Sequence, residues 1–161
     1  EYDSFKPWAE EDFRAFATQE SARFAVITGG EPLAHKHLPR ILKILKEEGF
    51  YIACETNGSY PAPKEIDFVT TSPKAITQKK FEKYYVEPSL FEATSEWKYV
   101  VDDEFDFKIL EKHKEAKPGV YYSLSPEFNN MKTNVEKIMA YIKENPHWRL
   151  SLQTHKWIDI P

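Results

Sequence analysis

The residues best suited to chemistry stand together in "TGGEP", Thr28 to Pro32, directly after the apolar or β-branched run Phe24–Thr28. Gly29 and Gly30 lack Cβ atoms, so a ligand can approach their main chain and pair with it as an extra strand edge. Glu31 offers a carboxylate to a ligand ammonium group. Pro32 ends pairing and pre-sets the exit from the loop. For a lone Gly-Gly the plainer reading is a tight strand-to-helix turn with Glu31 solvated. A second group is "ETNG", where Glu55 and Asn57 fall at i, i+2 on one side of the pleat. A turn with Asn57-Gly58 at positive φ is expected there. Glu55 follows four mostly apolar residues, so it is expected to be partly buried and to need a partner. "SPK" brings Ser72, Pro73 and Lys74, whose polar groups suit hydroxyls or a carboxylate, although the tripeptide is common in loops. Near the end of the chain, His155 is flanked by Gln153 and Lys156. A lone histidine is more often structural than a ligand. His35 and His37 read as exposed loop residues, and Cys54 as a core residue pointing away from Glu55.

Alternating strands and helices must position these groups. The first helix is expected to be capped by Ser4, with Pro7 near its start and Trp8, Phe13 and Phe16 on it. A buried strand over Phe24–Thr28 follows. Leu38, Ile41, Leu42 and Leu45 fall at helical spacing, and Gly49 stands where a helix end favours glycine. Further strands are expected over Phe50–Thr56, Phe68–Thr71, Trp97–Val101, Val120–Leu124 and Trp148–Thr154. A charged helix is expected from about Glu104 to Lys117. A second helical stripe comprises Val135, Ile138, Met139 and Ile142. The segment Ala75–Phe91 carries no clear pattern. Strand–helix alternation implies an α/β fold with a mainly parallel sheet, whose ligands bind at the carboxyl tips of the strands. "TGGEP", "ETNG", "TSPK", "VDD", "SLSPE" and "QTHK" each follow such a tip and would converge on one rim.

Bulk composition narrows the partners. The 161 residues suffice for one domain with a real core. A net charge of −4, with no densely basic stretch, gives nucleic acid no electrostatic footprint. No apolar run approaches a membrane span, and no signal peptide is visible. A single cysteine excludes a disulfide framework or a cage of thiolates within these residues, and a reducing cytoplasm is the default.

The motif set resembles the radical S-adenosylmethionine superfamily, whose GGE motif matches "GGEP" here. With "TGGEPLAH", "ETNG", "SPK", "KYVVDDE", "LSPEFNN" and "RLSLQTHKWIDIP", it is similar to the 7-carboxy-7-deazaguanine synthases of queuosine and 7-deazapurine biosynthesis. The resemblance spans nearly everything from Phe24 to Pro161. It implies an incomplete (β/α)6-type radical SAM barrel, a single core domain over residues 1–161 without its first strand and cluster loop. For S-adenosylmethionine it implies Gly29, Gly30, Glu31, Ser72, Pro73, Lys74, Ser125, Pro126, Glu127 and Phe128. For the pterin substrate it implies Thr28, Glu55, Asn57, Gln153, His155 and Pro161, the last through its terminal carboxylate. The implied reaction begins with a 5′-deoxyadenosyl radical taking a hydrogen atom from 6-carboxy-5,6,7,8-tetrahydropterin. Magnesium-assisted ring contraction and loss of ammonia then give 7-carboxy-7-deazaguanine. A [4Fe-4S] cluster, Mg2+, an electron donor such as flavodoxin and a homodimer are implied with it.

The sequence departs from the family at one place. The C-x3-C-x2-C loop that holds the cluster is absent, as is the neighbouring threonine that binds magnesium. These residues are therefore expected to lack an N-terminal segment and to be inactive by themselves. Two other readings compete. A glycyl-radical activating enzyme would share "GGEP" but not need Glu55, Gln153 and His155. A cluster-free remnant would bind a small molecule without catalysis.

Overall fold

The computed structural model describes residues 9–75 and 84–154. The order is helix α1 (Glu10–Gln19), strand β1 (Phe24–Ile27), helix α2 (Leu38–Glu47), β2 (Tyr51–Thr56) and β3 (Phe68–Thr71). The short helix α3 (Leu90–Ala93), β4 (Glu96–Val101), β5 (Tyr121–Pro126), helix α4 (Met131–Glu144) and β6 (Trp148–Leu150) complete it. Single 3-10 segments lie at Pro32–Ala34 and Phe107–His113. The six strands form one sheet in the order β1-β2-β3-β4-β5-β6, and every neighbouring pair is parallel. The expected α/β class with a parallel sheet is thus present, and every strand tip points to the same rim.

Local chemistry explains the elements. In α2, Leu38, Leu42 and Leu45 recur at helical spacing and are buried, with Ile44 beside them. Its end is a Schellman turn: Phe50 N–H donates to the Leu45 carbonyl at 2.9 Å and Gly49 N–H to that of Lys46 at 3.0 Å. Gly49 sits at φ 77°, which explains the glycine.

Period-2 alternation splits each strand between two environments. Ile52, Cys54, Val69, Trp97, Tyr99, Val101, Tyr122, Leu124 and Trp148 are buried in the core with Leu42 and Leu45 of α2, Leu110 and Ile138 of α4. Their strand neighbours Phe24, Val26, Tyr51, Glu55, Val100 and Tyr121 lie on the opposite, open face, and all are exposed.

Several local expectations change. The Phe24–Thr28 run is not buried: Phe24 is 57% and Val26 54% exposed, because among the described residues β1 pairs only with β2. The charged helix after β4 is only the 3-10 segment Phe107–His113. In α4, Met139 is exposed and Asn134 is buried with Ile138, so the inward stripe is rotated from the expected one. The last strand is short, ending at Leu150. Helix α1 starts at Glu10, with Phe13 against the core and Phe16 exposed; Ser4, Pro7 and Trp8 lie outside the described residues.

An aromatic cluster fills the packed face. His113 is buried, with its Nε2 2.9 Å from the Tyr99 hydroxyl and its ring 4.5 Å from that of Trp97. Burial, then the charges of Lys112, His147 and Lys117, push the His113 pKa down to about 3, so the imidazole is neutral. No helix among the described residues is long and apolar enough to cross a membrane.

Candidate functional site

The rim begins at Gly29 and Gly30, whose φ values of 92° and 55° are those glycine tolerates. A Cβ added at either would meet nothing within 4 Å, so both backbones face open space. Glu31 then turns the chain. Its Oε1 accepts from Leu33 N–H at 3.1 Å, which caps the 3-10 turn, and from the Thr56 hydroxyl at 2.7 Å. Its Oε2 accepts from Asn57 N–H at 2.7 Å. This carboxylate joins "TGGEP" to "ETNG", which leaves a lone pair on Oε2 for a ligand ammonium.

The second loop has its own lock. Asn57 Oδ1 accepts from Ser59 N–H at 2.9 Å, and Gly58 N–H donates to Thr56 Oγ1 at 3.0 Å. Only Gly58 has positive φ here, at 85°; Asn57 does not, because its side chain builds the turn from an ordinary backbone conformation. A Cβ on Gly58 would lie 3.1 Å from Thr71 Cγ2, so bulk is excluded as well. In "SPK", Pro73 is buried and Lys74 Nζ donates to Ser72 Oγ at 3.0 Å. Desolvation, then repulsion from Lys98, lowers the Lys74 pKa, while Glu55 and Glu31 oppose the shift. Ser125 and Pro126 are buried in the tip of β5, and Phe128 is exposed beyond it. Glu127 is held by its own loop, accepting from Asn129 N–H at 2.9 Å and from Asn129 Nδ2 at 2.9 Å. Gln153 is half-buried just past β6. His155 and Pro161 lie outside the described residues, so the expected role of the terminal carboxylate falls there too.

The Glu55 side chain is half-buried, 50% exposed, because it stands on the open face of β2 rather than against the helices. Thr28 Oγ1 donates to Glu55 Oε2 at 3.4 Å, and Lys98 Nζ lies 3.8 Å from Oε1. Thr28, Glu55 and Lys98 therefore meet on the open face just below the glycine loop.

A tighter network lies beside them. Glu96 accepts from Thr70 Oγ1 at 3.2 Å, Ser123 Oγ at 2.6 Å and Arg149 NH2 at 3.1 Å. Arg149 Nε also donates to Ser123 Oγ at 3.0 Å, and its guanidinium lies 4.6 Å from the centre of the Tyr121 ring. Desolvation works to raise the Glu96 pKa, but the bonds from Ser123, Arg149 and Thr70 and the Arg149 charge outweigh it, and the net shift is downward. Sequence reasoning missed Glu96, Lys98, Thr70, Ser123 and Arg149. The available signal was the alternation in "EWKYVV", where buried Trp97, Tyr99 and Val101 send Glu96 and Lys98 to the other face.

The residues do not fit an iron–sulfur cluster. Cys54 is the one cysteine of the chain, and it is buried on the packed face. Burial, then the charges of Glu31 and Glu55, push its thiol up to about 12, far from the thiolate a cluster requires. Among the described residues, no three His, Cys, Asp or Glu side chains group as metal ligands. The open Gly29-Gly30 backbone leaves room for a ligand to approach the main chain.

No family model matches the chain. It is 37% identical over 147 residues to 7-carboxy-7-deazaguanine synthase of Neisseria meningitidis serogroup B, covering 87% of this chain and 66% of that protein. It is 37% identical to that of Synechocystis, with 85% of this chain and 62% of that one covered. Against the Haemophilus influenzae enzyme it is 31% identical, and 99% of this chain covers 75% of the relative. The chain thus spans about two-thirds of the length of the relatives it matches. The crystal structure of QueE from Escherichia coli superposes with a TM-score of 0.66 at 29% identity, covering 91% of this chain and 64% of that one. Streptococcus suis SuiB, at 14% identity and a TM-score of 0.52, shares the fold alone. Relatives of this identity, aligned along most of both chains, show that the chain belongs to the 7-carboxy-7-deazaguanine synthase family.

Proposed function

We propose that these residues form the cofactor- and substrate-binding part of a radical SAM 7-carboxy-7-deazaguanine synthase, a carbon–nitrogen lyase of the queuosine pathway. The protein would convert 6-carboxy-5,6,7,8-tetrahydropterin to 7-carboxy-7-deazaguanine with loss of ammonia. The observation that carries this reading is Glu55: a half-exposed carboxylate, lightly bonded, at the carboxyl rim of a parallel sheet beside an open Gly-Gly loop. A pterin ring presents adjacent N–H donors, and a fixed carboxylate is their natural acceptor.

The roles proposed are those that the resemblance implies. Gly29 and Gly30 would offer main-chain groups to the methionine end of S-adenosylmethionine, with Glu31 keeping that loop in place. Ser72, Pro73 and Lys74 would line the ribose side, and Ser125, Pro126, Glu127 and Phe128 would close the far side. Thr28, Glu55, Asn57 and Gln153 would hold the substrate, joined by His155 and Pro161. S-adenosylmethionine, when bound, supplies hydrogen-atom abstraction. The chain's own part is to place the ring and shield it from water. The cluster and Mg2+ would need ligands beyond these residues. A homodimer, a flavodoxin-like electron donor and a cytoplasmic setting, where the Cys54 thiol stays reduced, complete the proposal.

Substitution tests it. In the full-length protein, Glu55→Gln should weaken affinity for the pterin substrate by roughly tenfold or more, the cost of losing a charge-assisted acceptor. The thermal midpoint should barely move. Unchanged affinity with a collapsed midpoint would make Glu55 a structural group and remove the main support for this function.

A further inference from the structure

Lys98 has no role in the function described so far, yet its ammonium points at the same place as Glu55. Its Nζ is 3.8 Å from Glu55 Oε1, an ion-pair contact too long for a hydrogen bond. The Lys98 side chain is 24% exposed and the Glu55 side chain 50%. Among the described residues, Glu55 Oε2 has only a long bond from Thr28, at 3.4 Å. The pair therefore keeps most of its hydrogen-bonding capacity: acceptors on the carboxylate and donors on the ammonium, side by side.

That pattern has a complement. A 2-amino-4-oxo pyrimidine edge presents an amino donor, a ring N–H donor and a carbonyl acceptor in a row. The carboxylate matches the two donors, and an ammonium beside it matches the carbonyl. We propose that Lys98 is a specificity-determining residue that donates to the ring carbonyl next to the N–H groups taken by Glu55. Lys98 and Glu55 together then read the whole edge. This rests on the pterin reading of the site and adds a second group to it.

The surroundings hold Lys98 to this task. Glu96, two residues earlier on the same face, is engaged by Thr70, Ser123 and Arg149, whereas the ion-pair contact of Lys98 is with Glu55. Lys74, the nearby cation, donates to Ser72 within its own loop. A ring that replaces the carbonyl with an amino group would set a donor against the Lys98 donors, and an edge built for hydrogen bonds rejects such a mismatch strongly.

Fluorescence titration of the full-length protein with pterin-6-carboxylate and 2,4-diaminopteridine-6-carboxylate, at pH 8, tests this. The unsubstituted protein should prefer the oxo compound by roughly tenfold to a hundredfold. Lys98→Met should cut that ratio several-fold, the remainder belonging to Glu55 because the diamino ring has also lost the N–H that Glu55 accepts from, and Lys98→Arg, which keeps the donors, should retain most of it. A ratio in Lys98→Met equal to that of the unsubstituted protein overturns the assignment of Lys98 while leaving the pterin site intact. If neither compound binds the unsubstituted protein, the pterin reading fails, and this inference with it.

Discussion

Glu55 and Glu96 stand in the same row of the same sheet face, since Thr70 is in register with both. Glu96 has three partners at hydrogen-bond distance and a side chain only 16% exposed. Its network ties β3, β4, β5 and the start of β6 together. Glu55 has one long bond and one loose ion pair, and its side chain is half exposed. Two carboxylates with the same backbone placement thus do different work, because the strands on either side supply different neighbours. Glu96 is flanked by Thr70 and by Ser123 with Arg149 behind it. Glu55 lies next to the outermost strand among the described residues, where the register leads to Thr28 and that neighbour supplies a single long bond. A carboxylate tied to three strands stiffens a sheet; a weakly bonded one at the rim can bind. The packed face shows a third treatment, in which His113 is kept neutral rather than paired.

The largest effect should come from that third case. The native pKa of His113 is depressed to about 3 from an ordinary 6.5, so the unfolded chain binds the proton first as pH falls. Stability is full above pH 6.5, lower by about 1.4 kcal/mol at pH 5.5, and reduced by on the order of 4 kcal/mol near pH 3. Urea melts at pH 7 and 5.5 read the first step in a window where ordinary carboxylates stay ionised. An NMR titration showing His113 protonating near pH 6.5 in the folded protein would break the contrast between the two faces.

Next in size is Glu96→Ala, expected to cost about 2–3 kcal/mol by stranding Arg149 and two hydroxyls. The Glu96 pKa is lowered in the native state, so its contribution is present above 4.5 and fades as pH falls through the native value. Denaturation of the variant and the unsubstituted protein should therefore differ at pH 7 and converge in acid. A difference that persists in acid would assign the loss to packing instead of charge.

The smallest stability effect should be that of Glu55→Ala, within about 0.5 kcal/mol at pH 7, as for an exposed and weakly paired group. Calorimetry giving a loss as large as that of Glu96→Ala would erase the distinction between a locked and a free carboxylate.

Much of this was legible in the linear sequence. The stripe of Leu38, Leu42 and Leu45 declares α2, and Gly49 marks its end, because helical periodicity and positive φ are local properties. The alternation of elements implied parallel strands whose polar tips share a rim, and the Gly29-Gly30 backbone is bare by residue type alone. Tertiary structure decided the rest. Period 2 sorts a strand into two faces but does not say which one a helix covers, so Phe24 and Val26 read as core and are exposed. Partners were equally out of reach: Arg149 meets Glu96 across 53 residues of chain, and Lys98 meets Glu55 across β3. Which charge is spent on the fold and which is left for a ligand depends on distances between strands, and those exist only once the sheet has formed.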